Sequence, residues 1–207
     1  MKRLAVVLAL ALAVVSSGAA QKKKPVARVL STSSLSGQSV VVLPITIVVA
    51  EPGLKTGALP SGHSALVAWA DSVISEALQS RAADVKWKLP PEIRRVAKRG
   101  AGFVQEPDFM GQSVLRGWSV EMVPDPLRSH LRRLSAVVGD RLVLVPASIF
   151  FRTMPNDSVH VELSVALVDS RLGRVIWRTF TTADADSPTA ALEHALTDML
   201  PMEGSGE

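Results

Sequence analysis

Apolar positions recur along this chain in three different rhythms, and each predicts a different element. Residues 39–50, SVVVLPITIVVA, are apolar without alternation and mostly β-branched. That is the pattern of a strand covered on both faces. Pro44 cannot donate to a ladder, so pairing there must be one-sided or bulged. Further on, Val159, Val161, Leu163, Val165 and Leu167 alternate with His160, Glu162, Ser164 and Ala166. Period two over that length predicts a half-buried antiparallel strand. Asp169-Ser170-Arg171-Leu172-Gly173 supplies the turn, with Asp bonding its own backbone and Gly taking positive φ, and residues 174–181 return carrying Trp177. Two more strands are expected, over residues 84–89, where Val85, Trp87 and Leu89 share a face, and over residues 141–152, interrupted by Pro146.

Spacings of three and four mark the helices. Leu66, Trp69, Ala70, Val73, Ala77 and Leu78 form one stripe on a helix ending near Arg81, with Ser61 or Ser64 as its cap. Pro90-Pro91 opens a short basic helix over residues 92–99, and Gly100 stops it. Asp125 as cap and Pro126 at the first position open a third helix, with Leu127, Leu131, Leu134 and Val138 inward and Gly139 at its end. A fourth, residues 187–200, is capped by Ser187 and buries Ala191, Leu192, Ala195, Leu196 and Leu200. Residues 101–123 are punctuated by glycine, with a short helix around 109–115. The order predicts an α/β (α+β) fold: a mixed sheet with a C-terminal antiparallel meander and helices packed mainly on one face.

The ends carry other signals. Lys2 and Arg3, the apolar stretch 4–15 and the small-residue exit Ser16-Ser17-Gly18-Ala19-Ala20 have the layout of a secretory signal peptide spanning residues 1–20. The alternative is an uncleaved anchor, but the apolar stretch is short for roughly 30 Å of hydrocarbon. Residues 21–38, with KKK and a Ser-rich run, are expected to be a flexible leader. A single domain then fills residues 39–200, and 201–207 form a disordered tail. The product is expected in the periplasm without a lipid anchor, since the chain has no cysteine. Association with the outer membrane is left open.

The absence of cysteine removes disulfides, thiolate metal sites and thiol nucleophiles. Lys2 and Arg3 supply two of the net +4 charges, so the mature chain is near +2, a weak draw for nucleic acid. Gly62-His63-Ser64-Ala65-Leu66 resembles the turn that presents a serine nucleophile, but Leu66 stands where glycine belongs; a hydrolase using Ser64 is therefore only an alternative. His63, His130, His160 and His194 lack metal-ligand spacing, and Glu162 and Asp169, seven apart on one strand, face opposite ways. No catalytic residue, metal or cofactor is expected. What stands out is positive charge on Lys86, Lys88, Arg94, Arg95, Lys98 and Arg99, with Arg128, Arg132 and Arg133 nearby. Such a patch suits an anionic envelope surface or an acidic protein face, while Trp87 and Trp118 are candidate interface anchors.

Val42-Leu43-Pro44-Ile45, the passage from Asp125-Pro126 to Gly139-Asp140-Arg141-Leu142-Val143-Leu144-Val145, and Leu167-Val168-Asp169 through Gly173-Arg174-Val175-Ile176-Trp177 carry a family resemblance. Together they resemble the curli-secretion lipoprotein (CsgG) family and the N-terminal domain of TolB. The chain departs at Pro146, where that pattern has Gly, and at Leu172, where it has Thr. The resemblance implies a small bacterial-envelope α/β domain in which Pro44, Asp125, Pro126, Asp169, Gly173 and Trp177 are structural. It implies a binding or assembly role with envelope partners and leaves homo-oligomerisation open. The alternative in the same compartment is a subunit of an outer-membrane transport or secretion assembly.

Overall fold

The computed structural model describes residues 27–54 and 59–201. The expected signal peptide, residues 21–26 of the leader and residues 202–207 of the tail lie outside the described residues. Ten principal elements follow in order: β1 (Ser39–Val42), β2 (Val48–Ala50), α1 (His63–Arg81), β3 (Lys86–Lys88), α2 (Pro90–Arg99), α3 (Leu127–Val138), β4 (Leu142–Thr153), β5 (Val159–Asp169), β6 (Arg174–Ala185) and α4 (Pro188–Met199). One mixed sheet runs β3-β1-β4-β5-β6, with β2 added to β4. β1 pairs in parallel with β3 and β4, and β4, β5 and β6 form the antiparallel meander.

The apolar run 39–50 is two strands rather than one. Pro44 has no N–H, and the Ile45 N–H leaves the sheet to donate to the Asp71 carboxylate at 2.8 Å. The partner strand β4 shifts register between Pro146 and Ser148. Both strands keep β4 as neighbour, so the break bends the path without detaching it.

The helices are divided between both faces instead of covering mainly one. Val40 and Val42 face a core built with Ala70, Ile74 and Leu78 of α1 and Ala191, Leu192 and Leu196 of α4. Val41 and Leu43, pointing the other way, face Ile93 and Ala97 of α2 and Leu127, Leu131 and Leu134 of α3. Unalternating apolar β1 thus has both faces covered. β5 shows the complementary case: from Leu163 to Asp169 it is buried throughout, because Ala166 and Val168 meet the second core, and only His160 and Glu162 keep an open face. Residues 101–123 roof that second core with Val104, Met110, Leu115 and Val123, through short 3-10 turns at Pro107–Phe109 and Gln112–Arg116.

Capping separates the helices. Ser187 caps α4, its hydroxyl accepting from Ala190 N at 3.2 Å. Neither Ser61 nor Ser64 caps α1; Gly62 takes that position with φ +87°, and Ser64 lies inside the helix. Asp125 stands one residue ahead of the α3 cap position, which Pro126 holds after a cis peptide bond.

The expected solvated leader is a further correction. From Ala27 onward it lies against the sheet: Leu30 and Leu35 are buried in the first core, Leu30 N donates to Met199 O, and Gly37 N donates to Asp84 O. Two leucines spaced five apart, both buried in the first core, outweigh the polar composition around them.

Candidate functional site

β6 ends the sheet, and the leader reaches its covered face, where Arg28 N donates to Thr179 Oγ1 at 2.9 Å, but most of its outer backbone edge is unpaired among the described residues. The first residues of the strand are covered, since Val175 N donates to Glu121 O and Gly173 O accepts from Val123 N. Beyond them, among the described residues, the backbone of residues 177–185 has no partner outside β5. At about 3.4 Å per residue that edge is roughly 30 Å long. Register with β5 sets its two faces. Trp177, Thr179, Thr181, Ala183 and Ala185 oppose Leu167, Val165, Leu163, Val161 and Val159 on the helix-covered side. Arg178, Phe180, Thr182 and Asp184 occupy the other. Exposed edges are ordinarily blunted by lysine, proline or a bulge; β6 contains neither residue, and its register shift lies at its start.

The face carrying Arg178 to Asp184 is partly open. His160 Nδ1 lies 2.6 Å from Asp184 Oδ1, Arg152 lies 3.3 Å from Glu162, and Val49, beside Phe150, is 46% exposed. Arg178 is the unusual member. Its Nη2 donates to Val120 O at 3.0 Å, while its buried Nη1 has no hydrogen-bond partner. Burial lowers the guanidinium pKa, and no carboxylate pairs with it among the described residues.

The predicted basic cluster separates into neutralised and open charges. Lys88 pairs with Asp140 at 2.7 Å, and Arg128 pairs with Asp125 at 2.7 Å. Arg132 donates to the Arg171 carbonyl. Arg94 is engaged by two carboxylates: its Nε and Nη2 grip Asp108, and Nη2 also reaches Asp71 at 2.8 Å. Lys86, Arg95, Lys98, Arg99 and Arg133 remain exposed and without a carboxylate partner among the described residues. Lys98 and Arg133, from α2 and α3, line one hollow of about 410 Å³ with Phe103 and Glu106. The open basic surface is therefore the outer side of α2 and α3.

The structural residues hold the turns. Asp169, 1% exposed, accepts from Arg171 N and Leu172 N at 3.1 Å and from Arg141. These bonds hold its carboxyl below the usual range, Arg141 contributing most. Gly173 takes φ +66°, where an added Cβ would strike the Arg128 side chain. Trp177 Nε1 donates to Val29 O and pins the leader. Pro44 O accepts from the buried Gln112.

A cleft of about 470 Å³ opens at the carboxyl end of β1, between the start of α1 and α2, lined by Thr46, His63, Ser64, Arg94, Asp108 and Phe109 among others. α/β sheets bind ligands at such positions. Here Arg94 and Asp108 bond to each other. Asp71 joins Ile45 to Arg94, and burial raises its carboxyl to about 6. Among the described residues no hydrogen bond links the Ser64 hydroxyl to a base of the kind that activates a serine nucleophile. The described residues contain no group of three or more His, Cys, Asp or Glu placed to hold a metal. The Asp71–Arg94–Asp108 latch was not expected from sequence. Its one signal is an aspartate in the apolar series Val67, Asp71, Ile74, Leu78.

No family model and no curated protein matches the chain. Solved structures do resemble it. Lipoprotein GNA1162 from Neisseria meningitidis is 17% identical over 72% of this chain and 81% of that one, with a TM-score of 0.37. The LpoB C-terminal domain from Salmonella enterica is 13% identical over 72% and 83%, with a TM-score of 0.42. The PelC dodecamer from Paraburkholderia phytofirmans is 16% identical over 84% and 95%, with a TM-score of 0.35.

Proposed function

We propose that this chain is an exported, non-enzymatic binding or assembly module of the bacterial cell envelope, of the CsgG and TolB N-terminal kind, that takes a protein partner onto the edge of its sheet. One observation carries the reading: the edge of residues 177–185, whose backbone is unpaired among the described residues and carries neither lysine nor proline. A row of free N–H and C=O groups on a rigid strand gives an extended segment main-chain hydrogen bonds, and alternate side chains add selectivity. The N-terminal layout of a signal peptide supports export to the periplasm. The open basic surface of α2 and α3 supplies a second contact, suited to an anionic envelope surface or an acidic protein face.

Affinity capture from envelope extract tests this with three proteins: wild type, an edge variant carrying F180K and T182K, and a surface variant carrying R95E, K98E and R99E. The edge variant is expected to lose the captured partner, since lysines on an edge strand oppose strand addition. The surface variant is expected to retain it with weaker, more salt-sensitive binding. Equal capture by all three proteins contradicts the reading.

A further inference from the structure

The free part of β6 runs from Trp177 to Ala185, and its midpoint is Thr181. An identical strand laid antiparallel about that midpoint places Arg178 opposite Asp184, Phe180 opposite Thr182, Thr179 opposite Ala183 and Trp177 opposite Ala185. Residues directly opposite in an antiparallel pair lie on the same face, and each of these couples does so here. Arg178 is partly buried, its Nη2 is bonded to Val120 O, and among the described residues no carboxylate pairs with it. Asp184, its side chain 58% exposed, shares one oxygen with His160 and has capacity for another donor. The large Trp177 meets the small Ala185.

From this complementarity we infer that the occupant of the β6 edge is the β6 strand of a second copy of this chain, paired antiparallel across a two-fold axis at Thr181. The inference rests on the edge being a pairing site, as proposed above, and names the strand that fills it. Other registers do worse. Centred one residue earlier, Arg178 faces Thr182 and Asp184 faces Ile176. Centred one residue later, Arg178 faces Asp186, beyond the strand, and Asp184 faces Phe180. Pairing Arg174 with Asp184 needs the part of the edge already covered by residues 121–123. Charge therefore selects one register, as cross-strand pairs do. The two six-stranded sheets become one, and each copy's longest free edge disappears.

The chain has no cysteine, and Thr181 itself is 1% exposed, so F180C in one copy and T182C in the other, facing each other on the open side, report the register. Residues facing each other across such a pair lie within the Cα separation a disulfide needs. Mild oxidation of purified F180C mixed with T182C is expected to give a covalent dimer, whereas T182C mixed with S72C, on exposed α1, is not. Sedimentation is expected to give a dimer for wild type and a monomer for D184R and R178D separately. Mixing the two variants restores a dimer, because each Arg then meets an Asp. Should R178D fail to fold, D184R added to both F180C and T182C is expected to abolish the cross-link. A monomeric wild type together with no F180C–T182C dimer overturns the inference. Capture of a different protein by the edge then leaves the proposed function standing, and capture of nothing removes both.

Discussion

The Arg94 guanidinium lies 2.8 Å from the Asp71 carboxylate, whose side chain is 8% exposed. The same carboxylate accepts from Ile45 N where β1 gives way to β2, and Arg94 continues to Asp108. One arginine thus ties α1, the break in the first strand, α2 and the turn at Pro107–Phe109 together. Arg94→Ala should destabilise the fold by about 2–3 kcal/mol, below the range for a fully buried pair because Arg94 is partly exposed. Urea denaturation measures it, and a loss under about 0.5 kcal/mol, the usual span of a surface substitution, would mean the latch is incidental.

Asp71 also predicts a pH dependence. Burial outweighs the bonds from Ile45 and Arg94, and its carboxyl sits at about 6 rather than 3.8. The folded state therefore holds the proton more tightly than the unfolded chain does. That contribution to stability is complete below about pH 3.8 and is lost as pH rises through about 6. Asp71→Asn removes it. The stability of wild type relative to this variant should fall between pH ~4 and ~7, and a difference that stays flat over that window would refute the assignment.

Asp169 works in the opposite sense. Its carboxyl is held low by Arg141 and the turn amides, so its contribution is present above the ordinary Asp value and is lost on acidification through its lower folded pKa. Asp169→Ala should cost about 2–3 kcal/mol by removing charge-assisted bonds at a buried turn. It should also flatten the acid limb of the stability profile. Parallel acid limbs in variant and wild type would contradict this.

The leader should behave as part of the fold. Leu30→Ala is expected to cost about 2–4 kcal/mol, the range for a buried leucine whose site partly collapses. Val29 O and Leu30 N both bond to the body of the domain, so amide exchange at Leu30 should be slow. Fast exchange at Leu30, with no change in Tm for the variant, would restore the picture of a solvated tether.

The open basic surface should matter for binding and not for stability. Lys98→Glu and Arg133→Glu together should weaken binding to anionic vesicles, with a stability change within about 0.5 kcal/mol. Arg94→Glu, by contrast, should unfold the protein more readily although it changes the charge by only half as much. Similar effects from both substitutions on stability would show that the division between open and engaged charges is wrong.

Much of the sheet was legible because side-chain period reports burial: Val40 to Val42 are apolar on both faces and covered on both. Ser187 as a cap and Gly139 as a helix stop were legible because backbone need and side-chain chemistry agree there. Long-range pairing was not legible. Nothing local shows that Asp71 meets an arginine 23 residues away, that Leu30 reaches the end of α4, or that Arg94 is engaged while Arg95 is free. Alternation in β5 predicted one open face, but α3 and residues 101–123 cover its upper half. Ser64 was suggested by sequence neighbours alone, and the structure supplies it with no bonded base among the described residues.

The most direct test of the central claim is site-specific photo-cross-linking in intact cells, with the reactive group at Thr182 on the β6 edge and a control at Ser72 on α1. Adducts with a defined protein, including a second copy of this chain, are expected at Thr182 and absent at Ser72. No adduct at Thr182, or the same adducts at both positions, would contradict the account.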